Sequence, residues 1–342
     1  IQVRQAGNEL WPEYLKRTFW KEGRPVILSV SRRTDIPAFY GAWFLNRLEA
    51  GWLLVPNPRN PKRLNRVELT PENVDMIVFL TKNPGPMLGL LDRLDALGYE
   101  GRYCFQVSLT AFESRVEEKG LPPKARLVEY FQELSRRLGP ERVDWRFDPI
   151  MVNASYTAAW HTERFQLLAR ALGGYTRRCI ISFIDFYRHL GAGFPEMSVE
   201  DKREAARGIG AVSAEIGLPV FTCAEDIDLQ EFGIRPAPCL DALRFGKIIG
   251  ASLAAGKAKG QRQGCLCAES VDVGIYDTCL NGCSYCYATT SRRLAALRYK
   301  NHDPQSPLLT GWPSGQEIVD CRRQGSLKEA QLDLFGGGRR RA

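Results

Sequence analysis

No stretch of this 342-residue chain approaches the ~18 consecutive apolar residues that a membrane span requires, so its 44% hydrophobic content belongs to a folded core. Spanning transporters and channels built of helices are thereby excluded. Nor does a secretory leader precede its ten cysteines, seven of which fall within residues 223–286, several at metal-ligand spacings. Disulfides are the less natural reading of such a cluster; reduced thiols in a cytoplasmic protein fit it better. The opening, IQVRQAGNEL, lacks a methionine, which suggests that the natural start lies upstream. What is present is material for one large α/β domain, or for a barrel with an accessory segment. The net charge of +8 permits a polyanionic partner without showing one, because solvated Lys and Arg faces are common on ordinary enzymes.

The strongest local signal is VGIYDTCLNGCSYCYA at residues 273–288. Cys279, Cys283 and Cys286 are spaced four and three apart, with Gly282 inside the loop and Tyr285 before the last thiol. Three thiolates so placed can hold three irons of a cubane and leave the fourth iron without a protein ligand, free to bind a substrate or cofactor. A structural zinc site instead wants four ligands paired as CxxC or CxxH, and here one is missing. Buried, unligated cysteines are the remaining alternative.

Six apolar runs, each broken by a polar turn, precede that loop. They lie at residues 25–30 (ending SRRTD), 76–80 (TKNP), 103–107 (SLT), 143–147 (Asp148-Pro149), 179–183 (Asp185) and 219–222 (Cys223-Ala224-Glu225), with helical patterns near 40–48, 86–97 and 124–138. A further run, 51–55, leads into the proline-broken loop PNPRNPKR. Strand-turn-helix units in series predict a parallel sheet with crossover helices, and a seventh strand is expected at 273–276. In a barrel the polar strand ends form a single cavity.

The CxxxCxYC stretch resembles the signature of the radical S-adenosylmethionine (SAM) enzymes. In order, SRRTD, FLTKNP, VSLT with a downstream acidic stretch, and RFDPI are similar to the segments that follow the cluster loop in the spore photoproduct lyase branch of that family. The resemblance is short and gapped and runs over roughly residues 25–190. What departs is the position of the cysteine strand, which the family carries at the front and this chain at the back. The implied fold is α/β, a (partial) TIM-like barrel of parallel strands, circularly permuted so that the cluster-binding strand is C-terminal; the first strand of a closed barrel lies beside the last, so moving the break keeps every neighbour. The chain also resembles, along most of its length, a bacterial family without an assigned activity that carries such a C-terminal cysteine cluster. The implied organisation is an N-terminal extension (1–24), a permuted radical SAM barrel (25–300) with a Cys-rich segment (223–286), and a tail (301–342).

The resemblance implies a [4Fe-4S] cluster on Cys279, Cys283 and Cys286, SAM on its open iron, and an electron donor such as flavodoxin or ferredoxin. By the same analogy Tyr285 approaches the adenine, and the first strand end, with Ser29, Ser31 and Asp35, meets the methionine amino group, although the family's glycine-rich sequence is absent there. Ser108 and Thr110 are candidates for the SAM carboxylate or ribose, and Arg146 for the carboxylate, which a guanidinium can pair bidentately. Lys82, Arg146 and Asp148 are the catalytic candidates; a solvated lysine and a structural ion pair are their plain alternatives.

Cys223, Cys239, Cys265 and Cys267 make a second expected set, complete for either another [4Fe-4S] cluster or a structural zinc. Cys104, Cys179 and Cys321 read as small buried hydrophobes. In the tail, Gln331, Leu332, Leu334 and Phe335 (QLDLF) resemble the pentapeptide that docks replication and repair proteins on the sliding clamp; a hydrophobic plug closing the barrel is the alternative. Two functions follow. One is a radical SAM enzyme that cleaves SAM reductively to a 5'-deoxyadenosyl radical, acting on DNA or RNA in repair or modification. The other is a non-catalytic Fe-S or zinc-stabilised module that binds nucleic acid or protein.

Overall fold

Val26, Ile27, Leu28 and Val30 are fully buried, as an apolar, β-branched run must be when helices cover both faces of a parallel sheet. In the computed structural model, which describes residues 19–21, 26–113, 116–185, 187, 190, 194, 196–322 and 326–328, that run is strand β2 (Val26–Val30), following a short β1 (Phe19–Lys21). β2 lies in an eight-stranded sheet with β5 (Val74–Thr81), β6 (Tyr103–Ser108), β7 (Val143–Ile150), β8 (Cys179–Phe183), β9 (Val220–Thr222), β10 (Arg235–Pro236) and β11 (Val271–Asp272). The spatial order is β10-β9-β8-β7-β6-β5-β2-β11, and every pairing is parallel. The protein is thus an α/β fold whose late strand β11 sits beside the early strand β2, with Val271 opposite Leu28 and Asp272 opposite Ser29.

Helices supply the crossovers. Lys124–Leu138 buries Leu127, Phe131, Leu134 and Leu138, a stripe at helical spacing. Thr157 caps Ala158–Leu172 by accepting from Trp160 N, and Ser198 caps Val199–Ile216 by accepting from Asp201 N. Inside the sheet's helical cover, Trp145 stacks on Phe165 with centroids 4.9 Å apart, and Phe79 on Phe105 at 4.7 Å. Each such fully buried ring contributes about 1.5–3 kcal/mol by leaving water.

Three expectations are corrected here. The strand before the cysteine loop is Val271–Asp272 rather than 273–276, because from Val273 on the chain turns away to begin the loop. The stretch expected as a proline-broken loop instead forms a hairpin: β3 (Trp52–Asn57) pairs antiparallel with β4 (Asn60–Glu68), and β12 (Ile318–Arg322) and β1 extend this into a four-stranded sheet ordered β1-β12-β4-β3. The helix expected over 86–97 is wound as short pieces, Gly85–Leu88, Leu91–Leu94 and a wider turn at Asp95–Tyr99.

Because the strands run one way, their C-terminal ends face one side. There they enclose a cavity of about 690 Å³, whose wall draws on Asp35, Lys82, Ser108, Asp148, Asp185 and Cys223, one from each of six successive strand ends.

Candidate functional site

All seven cysteines of residues 223–286 line that one cavity. The C-terminal loop is tied at its base, where Asp277 N donates to Ala288 O (2.9 Å) and the Asp277 carboxylate accepts from Thr290 N (2.6 Å), Thr290 Oγ1 (3.0 Å) and Ser291 N (3.0 Å). Asp277 and Gly282 take left-handed backbone, φ 54° and 64°, which folds the intervening residues back on themselves. Neighbouring elements fix the loop further. Tyr40 Oη donates to Thr278 O (2.7 Å), and Asn281 Nδ2 donates to the buried Asp35 carboxylate (2.8 Å), which also accepts from Lys82 N (2.8 Å) and Ala38 N (3.1 Å). Gly120 N donates to Asn281 O and Ser284 N to Glu117 O, both at 2.8 Å.

Cys279, Cys283 and Cys286 are half-buried on this loop. Burial pushes the Cys283 thiol up to about 12 against the opposing pull of Lys82, and it pushes Cys279 well above the usual thiol range, with Asp35 adding to the effect. A metal arriving here displaces thiol protons, the ordinary coupling of thiolate ligation to pH.

Glu118 is the hub beneath the loop. Fully buried, it accepts from Lys82 Nζ (3.0 Å), Lys124 Nζ (3.1 Å), Thr110 Oγ1 (2.8 Å) and the Tyr285 hydroxyl. Burial alone raises a carboxyl, but the two ammonium groups and the hydroxyl outweigh it and hold Glu118 at about 2. The Lys82 ammonium also lies over the Tyr285 ring, 5.4 Å from its centroid.

Asp272, at the end of β11, clamps the opposite edge. It accepts from Ser29 Oγ (3.0 Å), Ser31 Oγ (2.7 Å), Arg32 N (2.8 Å) and Gly274 N (3.0 Å). Arg32 pairs with the same carboxylate (3.5 Å) and accepts the Tyr287 hydroxyl on its carbonyl, while Arg33 lies over the Tyr276 ring. Gly274 approaches Ser31 so closely that a Cβ would stand 2.0 Å from its Oγ.

Of the second expected set, Cys223, Cys239 and Cys267 bring their sulfurs within 4.8 Å of one another, all buried. Cys265 is buried and lines the cavity but stands outside that group. Cys223 follows β9 with Ala224 in left-handed backbone (φ 57°), and Gln106, on β6, donates to the Cys239 carbonyl. Ala268 N donates to Leu240 O (2.8 Å), joining the two segments one residue from Cys239 and Cys267.

The other sequence candidates divide. Ser31, Asp35, Lys82, Ser108, Arg146, Asp148 and Tyr285 line the cavity, whereas Ser29 and Thr110 are buried behind it, bonded to Asp272 and Glu118. Arg146 pairs with Asp148 (Nε to Oδ2, 3.0 Å) and donates to Gln106 Oε1 (3.2 Å). Cys104, Cys179 and Cys321 are buried among apolar residues. Gln331, Leu332, Leu334 and Phe335 lie outside the described residues. Sequence reasoning missed Asp272, Glu118, Lys124 and Asn281. The first immediately precedes the VGIYD run, and the second belongs to the acidic stretch after VSLT, which were the available signals.

A family model described as "Domain of unknown function (DUF1848)" matches residues 27–288, from the first residues of β2 to the base of the cysteine loop. No curated protein and no solved structure matches the chain.

Proposed function

The chain belongs to that family of domains of unknown function, and from its cysteine loop we propose that it is a radical SAM enzyme whose Cys279, Cys283 and Cys286 hold a [4Fe-4S] cluster. The observation that carries the reading is three thiols on one loop, closed at its base by Asp277 and facing a cavity of about 690 Å³ together with no fourth ligand from that loop. The donor set fits: soft sulfur ligands suit an iron-sulfur cluster, and three of them leave one corner for a second molecule. Bound and reduced, such a cluster would supply one electron to the sulfonium of SAM, giving methionine and a 5'-deoxyadenosyl radical.

The protein's own groups have separable tasks in this reading. Asp35 and Glu118 orient the loop, Asp35 through Asn281, Glu118 through Tyr285. Lys82 stands on the cavity wall and shares the single carboxylate of Glu118 with Lys124, so the cluster keeps one excess positive charge and Lys82 can offer a donor to a bound carboxylate. Arg146, paired with Asp148, can do the same from β7. The wall carries Arg32, Arg33, Arg59, Lys82, Arg146 and Arg262 against Asp35, Asp148, Asp185 and Asp272, an excess of two cations that supports an anionic substrate such as nucleic acid. The neighbouring placement of β11 and β2 supports a permuted, partial barrel. An external one-electron donor of the flavodoxin or ferredoxin class completes the scheme. Among the described residues no helix is long and apolar enough to cross a membrane.

The test is anaerobic reconstitution with iron and sulfide, followed by iron analysis and a 5'-deoxyadenosine assay after dithionite reduction. Wild-type chain is expected to form 5'-deoxyadenosine, and Cys283→Ala to form none. Normal production by Cys283→Ala would end the reading; zinc without SAM cleavage would favour a metal-stabilised binding module.

A further inference from the structure

We propose that Cys223, Cys239 and Cys267 hold a single thiophilic ion of the zinc class, whose fourth coordination position opens on the same cavity as the C-terminal loop. The distances carry this. Around one tetrahedral ion with metal-sulfur bonds of about 2.3 Å, ligand sulfurs stand about 3.8 Å apart. Here all three lie within 4.8 Å of one another, and those of Cys239 and Cys267 are 3.1 Å apart, too far for a disulfide. A cubane sets each thiolate on a different iron and so spreads its ligands more widely than one ion does. The sulfurs of Cys279, Cys283 and Cys286 do not all come within that 4.8 Å limit. One chain therefore presents a wide set and a narrow set of three thiols to one cavity.

The surroundings are built for a compact anionic centre. Leu240, Phe245, Leu253 and Ala268 pack with these cysteines in one buried apolar cluster. Three thiolates on a divalent ion leave one net negative charge, and two guanidinium groups act on these sulfurs: Arg146 on Cys223 and Cys239, Arg32 on Cys239 and Cys267. Gln106 links the two sides of the arrangement, donating to the Cys239 carbonyl and accepting from Arg146. Cys265 stays outside the group, so the fourth position falls to a ligand entering from the cavity, a water or a soft or anionic donor of the substrate. Open three-ligand sites of this kind are those that take part in chemistry, whereas closed four-ligand sites are structural. The proposal does not depend on SAM binding at the other loop.

The test uses the full chain with Cys279, Cys283 and Cys286 all changed to Ala, purified without metal and titrated with cobalt(II). One cobalt per chain is expected, with thiolate charge-transfer absorption, tetrahedral ligand-field bands, and a shift of those bands on adding azide. Cys265→Ser in that background is expected to leave the titration and the azide shift unchanged. Cys239→Ser and Cys223→Ser should each lower cobalt affinity beyond the roughly 10–100-fold that loss of an outer-sphere partner costs. Circular dichroism of each metal-free variant against the metal-free parent separates lost ligation from failure to fold. Absence of cobalt binding at micromolar concentration, loss of the spectrum in Cys265→Ser, or uptake of about four irons with sulfide in place of one ion would each overturn the proposal.

Discussion

At the scale of single residues, the groups proposed to carry the chemistry were legible and those that position them were not. Cysteines announce themselves by spacing, and Cys279, Cys283 and Cys286 do line the cavity. A lone carboxylate has no such pattern. Asp272 and Glu118 acquire their roles only when residues more than 160 positions away fold against them, Ser31 for the one and Tyr285 for the other. Arg32 and Arg33, in the SRRTD turn that follows β2, both lie within reach of Asp272. Asp272 is therefore the more informative position to change. Asp272→Asn keeps the shape and removes the charge that four donors and two guanidinium groups share. With the side chain 5% exposed, the loss should be about 2–4 kcal/mol, given that hydrogen bonds to a buried charge are worth roughly 1.5–3 kcal/mol each and their loss is partly relieved by rearrangement. Urea unfolding of the metal-free chain measures it. A loss under about 0.5 kcal/mol would show that the clamp is incidental.

At the scale of elements, strands were easier to read than their partners. Runs such as VILSV and CIISF are apolar on both faces and need little context to become buried parallel strands. NPKRLNRVE carries too much charge to signal a strand, and its pairing is supplied partly by a hairpin with β3 and partly by β12, where Arg63 meets Asp320 at 2.7 Å across 257 positions. No local pattern encodes such a contact. The segment 117–120 shows the same dependence at the site. Glu118 bridges Cys283, and Gly120 sits against the loop so tightly that an added Cβ would lie 2.2 Å from Leu280 O and 2.8 Å from Asn281 C. Those atoms are backbone and cannot swing aside. Gly120→Ala should thus push the cysteine loop off its support and lower iron retention in the reconstituted protein several-fold, with little change in far-ultraviolet circular dichroism. Gly89→Ala is the control: its φ is −73° and nothing lies within 4 Å of the added Cβ, so it should be neutral or stabilise by about 0.4–1 kcal/mol. Equal iron content in the two variants would show that the close approach does not hold the loop.

At the scale of the whole molecule, the family match spans both the sheet and the cysteine loop, which fits a site assembled from the two ends of the chain around β2 and β11. Its stability in mild acid draws on two groups with opposite signs, the buried His161 and the half-buried Glu225. His161 is fully buried, its Nε2 against the Met151 carbonyl (2.7 Å) and its Nδ1 without a partner among the described residues. Burial pushes its pKa down to about 4, so the folded chain keeps the ring neutral while an unfolded histidine takes up a proton near 6.5. Between those values the unfolded state binds more protons, and the contribution of His161 is complete above about pH 6.5 and lost as pH falls towards 4, up to about 3 kcal/mol. Glu225 runs the other way. Burial raises its carboxyl to about 7 despite the bond from Phe183 N (3.0 Å), so the fold favours its protonated form, and its contribution is lost as pH rises from about 4.5 through 7. The two slopes oppose each other between pH 5 and 6.5. Single variants separate them: relative to wild type, His161→Gln should gain stability as pH is lowered across that window, and Glu225→Gln should lose it. Urea midpoints at pH 5.0, 5.75 and 6.5 in the metal-free chain give the comparison, and a His161→Gln difference that stays constant across the window would mean that the buried ring is already accessible to protons in the folded state.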